Sequence, residues 1–152
     1  MDEVIVYTDG ACKGNPGPGG WAARLIHGSS GVVKDISGGE PLTTNNRMEM
    51  MGVIQALKAF KRPVKVKVHC DSAYVVNAFK QGWLDNWQAN GWRTSAKKPV
   101  ENQDLWMQLL EASKGHKVEW MKVKGHAGVE HNEACDRLAV EQSLLQSQSA
   151  AR

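Results

Sequence analysis

Apolar and polar residues alternate in short runs through the first third of the chain and recur at helical spacing after it. Val4-Ile5-Val6-Tyr7-Thr8 is a β-rich run that stops at Asp9-Gly10, and the turn residues from Gly14 to Gly20 predict a glycine-rich loop behind it. Trp21 to Ile26 and Val32 to Ile36, split by Gly28-Ser29-Ser30-Gly31, predict two further strands and, with the first, an antiparallel meander. The period then changes. Met50, Val53, Ile54, Leu57 and Phe60 predict a helix from Asn46 to about Lys61, with Pro63 as its stop.

Val64, Val66, Val68 and Cys70 alternate with Lys65, Lys67 and His69, a strand that meets the capping pair Asp71-Ser72 and a helix from Ala73 to about Gln81. Gly82 to Pro99 differs in kind: Trp83, Trp87 and Trp92 interleave with Arg93, Lys97 and Lys98, which reads as a short helix and loop standing off the core. Leu105, Trp106, Leu109 and Leu110 mark another helix, Val118 to Val123 a last strand, and Cys135, Leu138 and Ala139 a last helix. The expected architecture is an α/β domain with a mixed sheet over residues 1–141, a protrusion at about 82–99, and a polar, frayed tail at 142–152.

At 152 residues and 41% hydrophobic content the chain matches one domain with its own core, which excludes disorder for most of its length. No run approaches the roughly 20 apolar residues of a membrane span, and Met1-Asp2-Glu3 opens no signal-peptide pattern, so a soluble, cytoplasmic protein is expected. Cys12, Cys70 and Cys135 are odd in number and widely spaced, as reduced thiols are. A net charge of +3 suits a polyanionic partner but does not select one.

Four acids occupy positions that need a reason. Asp9 ends the first strand and Asp71 the fourth, and ligands bind at the carboxyl ends of strands in open α/β sheets. Glu49 stands in the first turn of the first helix on the stripe of Val53, Ala56 and Phe60, and Asp136 borders Ala139 and Val140. Singly each has an ordinary reading: Asp9-Gly10 a turn, Asp71 a helix cap, Glu49 a capping-box partner of Asn46, Asp136 a surface acid beside Arg137. Together they would concentrate like charge, which needs a cation, and oxygen-only ligands suit Mg2+ or Mn2+. Two such ions form a clamp for phosphodiester hydrolysis.

Tyr7 through Gly20, Thr43-Thr44-Asn45-Asn46-Arg47-Met48-Glu49, Asp71-Ser72, Lys124-Gly125-His126-Ala127-Gly128 and Asn132-Glu133 with Cys135-Asp136 closely resemble the bacterial ribonuclease HI (type 1 ribonuclease H) family, in register from Val4 to about Val140. The resemblance implies a ribonuclease H-like fold: a five-stranded mixed sheet, three strands antiparallel and two parallel, flanked by helices. It implies an endoribonuclease that hydrolyses the RNA strand of RNA/DNA hybrids with two Mg2+ or Mn2+ ions, largely without sequence preference, leaving 5'-phosphate and 3'-hydroxyl ends. The family's metal-binding catalytic acids map onto Asp9, Glu49, Asp71 and Asp136, and its auxiliary loop histidine onto His126, where flanking glycines and a neutral imidazole suit proton relay. Gly10, Cys12, Asn15, Asn45 and Asn46 map to minor-groove contacts, Thr44 and Asn102 to a phosphate pocket for the DNA strand, and Trp83 and Trp87 to the substrate-handling protrusion. No obligate protein partner or membrane contact is implied, and a monomer is expected.

The chain departs from the family at three places. Asn86-Trp87-Gln88-Ala89-Asn90-Gly91-Trp92 lacks the usual lysines and arginines, Ala73 replaces a common Gln, and Leu42 a common Arg. Fewer phosphate contacts weaken hybrid binding and flatten its salt dependence. Two other readings differ in kind: a hybrid-binding module without catalysis, which predicts a lost acid where none is lost, and a metal-dependent nuclease of the same fold acting on other substrates.

Overall fold

The computed structural model describes residues 2–94, 96–122 and 129–150. Five strands, β1 (Asp2–Cys12), β2 (Gly17–His27), β3 (Val33–Thr43), β4 (Val64–Cys70) and β5 (Lys117–Lys122), form one sheet in the order β3-β2-β1-β4-β5. The β3-β2-β1 side is antiparallel and β1-β4-β5 is parallel, as the alternation of strand and helix predicts. Five helices surround it: α1 (Asn45–Lys58), α2 (Ala73–Lys80), α3 (Trp83–Ala89), α4 (Gln103–Ser113) and α5 (Val129–Ala150). Val64, Val66, Val68 and Cys70 are buried while Lys65 and Lys67 between them are exposed, so β4 turns one face to the core. Met50, Val53, Ile54 and Leu57 of α1 cover that face. No described helix is long and apolar enough to cross a membrane, and all three cysteines are free.

Four local expectations are corrected. The glycine-rich stretch is mostly strand: Gly10 pairs with Trp21, Ala11 with Gly20 and Cys12 with Gly19, which leaves only a tight connection between β1 and β2. Its glycines serve close approach as much as turning. A Cβ on Gly10 would stand 2.6 Å from the Glu49 nitrogen, and one on Gly20 2.2 Å from the Ala139 carbonyl oxygen. The cap of α1 is Thr44, whose Oγ1 accepts from Arg47 N at 3.2 Å, so Asn46 is neither cap nor capping-box partner and Glu49 lies beyond the first turn.

The protrusion does not stand clear of the core. Leu84 is buried, and Trp87 packs 5.6 Å from the fully buried Trp106 while holding Trp83 at 6.0 Å and Trp92 at 6.2 Å. Trp87 sits on Trp106 and the other two indoles gather on Trp87, because that removes large apolar surface from water. The segment expected to fray from residue 142 continues as helix to Ala150. Ser143 is buried, and Gln142 Nε2 donates to Ser37 Oγ at 3.4 Å. Glycines at 20 and 39 let this polar stretch lie against the sheet without an apolar stripe to announce it.

Candidate active site

β1 sets the site. Its parallel pairing with β4 ends at Thr8 and Cys70, while its antiparallel pairing with β2 carries on through Asp9. Asp9 and Asp71 therefore leave two neighbouring parallel strands side by side at their carboxyl ends. Ser72, not Asp71, caps α2, its Oγ accepting from Val75 N at 3.3 Å, and Asp71 stays exposed. Glu49 is brought down on β1 by α1, which Gly10 admits, and is 7% exposed. Asp136 projects from α5, exposed, next to Cys135.

The four carboxylates act on one another. Burial pushes Asp9 up from 3.8 to about 6, and the Asp136 charge adds to that, against the opposing bond from Gly10 N to Asp9 Oδ1 at 2.9 Å. Burial holds Glu49 well above the usual carboxylate range, reinforced by the charges of Asp9 and Asp71. Glu49 Oε2 is buried with no hydrogen-bond partner.

An orphaned buried carboxylate oxygen inside a cluster of mutually repelling acids is the environment a hard divalent cation satisfies. Among the described residues no three His, Cys, Asp or Glu side chains form a ready-made cage. His126 lies outside the described residues.

Of the expected substrate contacts, Cys12, Asn15 and Asn45 are joined. Cys12 Sγ donates to Gly17 O at 3.5 Å and Thr43 O at 3.4 Å, and Asn15 Oδ1 accepts from Asn45 N at 3.1 Å. These bonds tie the β1–β2 connection to the start of α1, and Asn15, Asn45 and Asn46 are exposed. Asn102 is wired at both ends: its Oδ1 accepts from Arg47 Nη1 at 3.2 Å and its Nδ2 donates to Tyr74 OH at 3.3 Å. Trp106 Nε1 also donates to Tyr74 OH, at 3.2 Å, and Arg47 grips Asp104 through two bonds of 2.9 and 2.7 Å.

Arg47, Tyr74, Asp104 and Trp106 are the residues the sequence reading missed, because pairing across 28 to 57 positions leaves no periodic trace. Asn102, which the sequence analysis did single out, takes a φ of 60° ahead of α4, a left-handed backbone that asparagine tolerates. Farther out, Trp83 and Trp87 line a concavity of about 480 Å³ with Asn86, Ala89, Asn90 and Arg93. Both indoles are half-buried, so each combines a packed side with an open one.

A family model described as RNase H matches residues 1–144. The chain is 63% identical over 142 residues to the Ribonuclease H of Thermoanaerobacter pseudethanolicus, covering 93% of this chain and 90% of that one. It is 63% identical over 139 residues to the Ribonuclease H of Symbiobacterium thermophilum, covering 91% and 93%. Among solved structures, a type 1 RNase H with the type 2 active-site motif superposes with a TM-score of 0.84 at 35% identity, over 96% of this chain and 74% of that one.

Proposed function

The chain belongs to the ribonuclease H family of metal-dependent endoribonucleases acting on RNA/DNA hybrids, and we propose that Asp9, Glu49, Asp71 and Asp136 are the acids with which it hydrolyses the RNA strand. The observation that carries this reading is the convergence of the four on the carboxyl ends of β1 and β4, with the Glu49 Oε2 buried and unpartnered. Asp9, Glu49, Asp71 and Asp136 would hold two divalent ions, Mg2+ or in its place Mn2+, which when bound would supply the positive charge for activating water and stabilising the departing oxygen.

The protein's own contribution is placement. Gly10 N fixes Asp9 Oδ1, and the close packing of α1 on Gly10 fixes Glu49 against it. Asp71 and Asp136, both exposed, complete the cluster on its open side, where a substrate phosphate can enter. The products carry 5'-phosphate and 3'-hydroxyl ends. His126 assists proton transfer or product departure, as a loop imidazole can.

Gly10, Cys12, Asn15, Asn45 and Asn46 face the minor groove of the hybrid, with amide groups that both donate and accept. Thr44 and Asn102 receive a phosphate of the DNA strand. Arg47 stands beside that pocket, where Leu42, 71% exposed, offers no charge. Its guanidinium is largely engaged by Asp104, which makes it a support for Asn102 more than a free cation. Trp83 and Trp87 carry the duplex on their open faces. Phosphate contacts hold register without reading bases, so cutting is largely independent of sequence. The enzyme works as a cytoplasmic monomer.

The test is cleavage, with Mg2+, of a hybrid labelled on either strand, beside duplex RNA, duplex DNA, single-stranded RNA and the Asp71→Asn variant. Cutting is expected only in the RNA strand of the hybrid and is lost in the variant. Binding without cutting, with Mn2+ also inactive, would show a noncatalytic hybrid reader. Cutting of duplex DNA would show a different nuclease of this fold.

A further inference from the structure

Away from the core, one row of side chains crosses the sheet. Tyr7 of β1 lies opposite Arg24 of β2 on one side and His69 of β4 on the other, and Arg24 lies opposite Asp35 of β3. Arg24 Nε and Nη2 donate to the two Asp35 oxygens at 2.8 and 2.9 Å, and the Tyr7 ring stacks on His69 with centroids 4.6 Å apart.

His131, near the start of α5, lands on this row. Its ring centroid is 4.9 Å from that of Tyr7, and its Nδ1 is 3.3 Å from Arg24 Nη1. A guanidinium can only donate, so Nδ1 must accept, and the imidazole that fits here is neutral with its hydrogen on Nε2. One turn later Cys135 Sγ donates to the Tyr7 carbonyl oxygen at 3.4 Å. Tyr7 thus anchors α5 twice. Asp9 follows Tyr7 by two residues on the same face of β1, and Asp136 follows Cys135 directly.

We infer that His131 is a positioning residue, which through Arg24 and Tyr7 fixes the first turns of α5 on the sheet and so sets where Asp136 stands relative to Asp9. The inference rests on the reading of Asp136 as one of the metal-binding acids. Asp35 keeps Arg24 aligned, with Glu130 a further negative charge acting on it. Without the imidazole, Arg24 keeps Asp35 and α5 keeps the bond from Cys135 to the Tyr7 carbonyl, but the turn ahead of Asp136 loses its contact with Arg24 and the Tyr7 ring, and the spacing of the two acids is held less tightly. A displacement on the order of 1 Å in a catalytic constellation costs up to about a hundredfold in rate.

The experiment compares wild type, His131→Ala, His131→Gln and Asp136→Asn by hybrid-cleavage kinetics, amide hydrogen exchange and 15N NMR of the His131 ring. Wild type is expected to show hydrogen on Nε2. His131→Ala is expected to lose about tenfold in kcat with KM for the hybrid within about twofold, and to exchange faster over residues 130–137. His131→Gln, whose amide oxygen still accepts from Arg24, is expected to recover most of kcat, and it decides the matter if the alanine variant does not fold. A wild-type proton on Nδ1, unchanged kcat in His131→Ala, or a glutamine variant as slow as alanine would overturn the inference. Full activity in Asp136→Asn would overturn instead the reading of the acid on which it rests, and the NMR and exchange results would still report whether the His131 tie exists.

Discussion

Replacing Asp9 by Asn removes a carboxylate that the fold holds against its preference. In the metal-free protein its value is displaced from 3.8 to about 6, a gap worth about 3 kcal/mol. Between those values the folded state binds more protons than the unfolded state, so stability falls as pH rises through the window and stays low above it. Asp9 is partly open to solvent, and screening trims the recoverable part to about 1–2 kcal/mol. For a chain of this size that is about 2–8 °C in Tm. The assay is thermal unfolding in EDTA and in Mg2+, at about pH 4 and about pH 8. Asp9→Asn is expected to melt higher than wild type at the upper pH in EDTA, to match it at the lower pH, and to lose most of the advantage in Mg2+, which neutralises the wild-type charge. A variant that melts lower at the upper pH, or a difference that ignores pH, would refute the clustered-acid argument.

Gly10→Ala places a Cβ 2.6 Å from the Glu49 nitrogen, so α1 must lift; cleavage should fall by about a hundredfold while circular dichroism keeps the native signature. Arg47→Ala removes both bonds to Asp104 and the bond to Asn102, and KM for the hybrid should rise by about tenfold with kcat little changed, read from steady-state kinetics. Arg24 holds the Asp35 carboxyl below its ordinary value, so this pair contributes stability above about pH 4 that is lost as pH falls through the lowered folded-state value; acid unfolding of Arg24→Ala should show that loss already absent. Gly20→Ala drives a Cβ into the Ala139 carbonyl and should destabilise by about 1–3 kcal/mol in urea unfolding, through α5.

What could be read before folding was what local pattern enforces. The valine–lysine alternation from Val64 to Cys70 fixed β4 to the residue and put Asp71 at a strand end, but its place beside Asp9 comes from the parallel pairing of β1 with β4, which no local pattern announces. Glycine was the ambiguous letter: in the sequence, Gly10, Gly17 and Gly20 look like loop, whereas in the sheet they are places where helix or chain comes too near for a Cβ. The end of α5 was hidden for a related reason, since a helix resting on Gly20 and Gly39 needs no apolar stripe and presents Gln142, Ser143 and Gln146 instead. The segment of Trp83, Trp87 and Trp92 reads as standing off the core because the residue that seats Trp87, Trp106, lies in another helix. The polar ties from Arg47 to Asp104 and from Arg24 to His131 join distant segments, and no spacing rule points to either.

The most direct test of the carboxylate centre is a Mg2+ titration followed by NMR, in the presence of a hybrid made uncleavable by its chemistry. Side-chain and backbone signals at Asp9, Glu49, Asp71 and Asp136 are expected to shift together along one binding curve, which weakens sharply when Glu49→Gln or Asp71→Asn is used. Shifts confined to other residues, or a curve indifferent to both substitutions, would contradict the account.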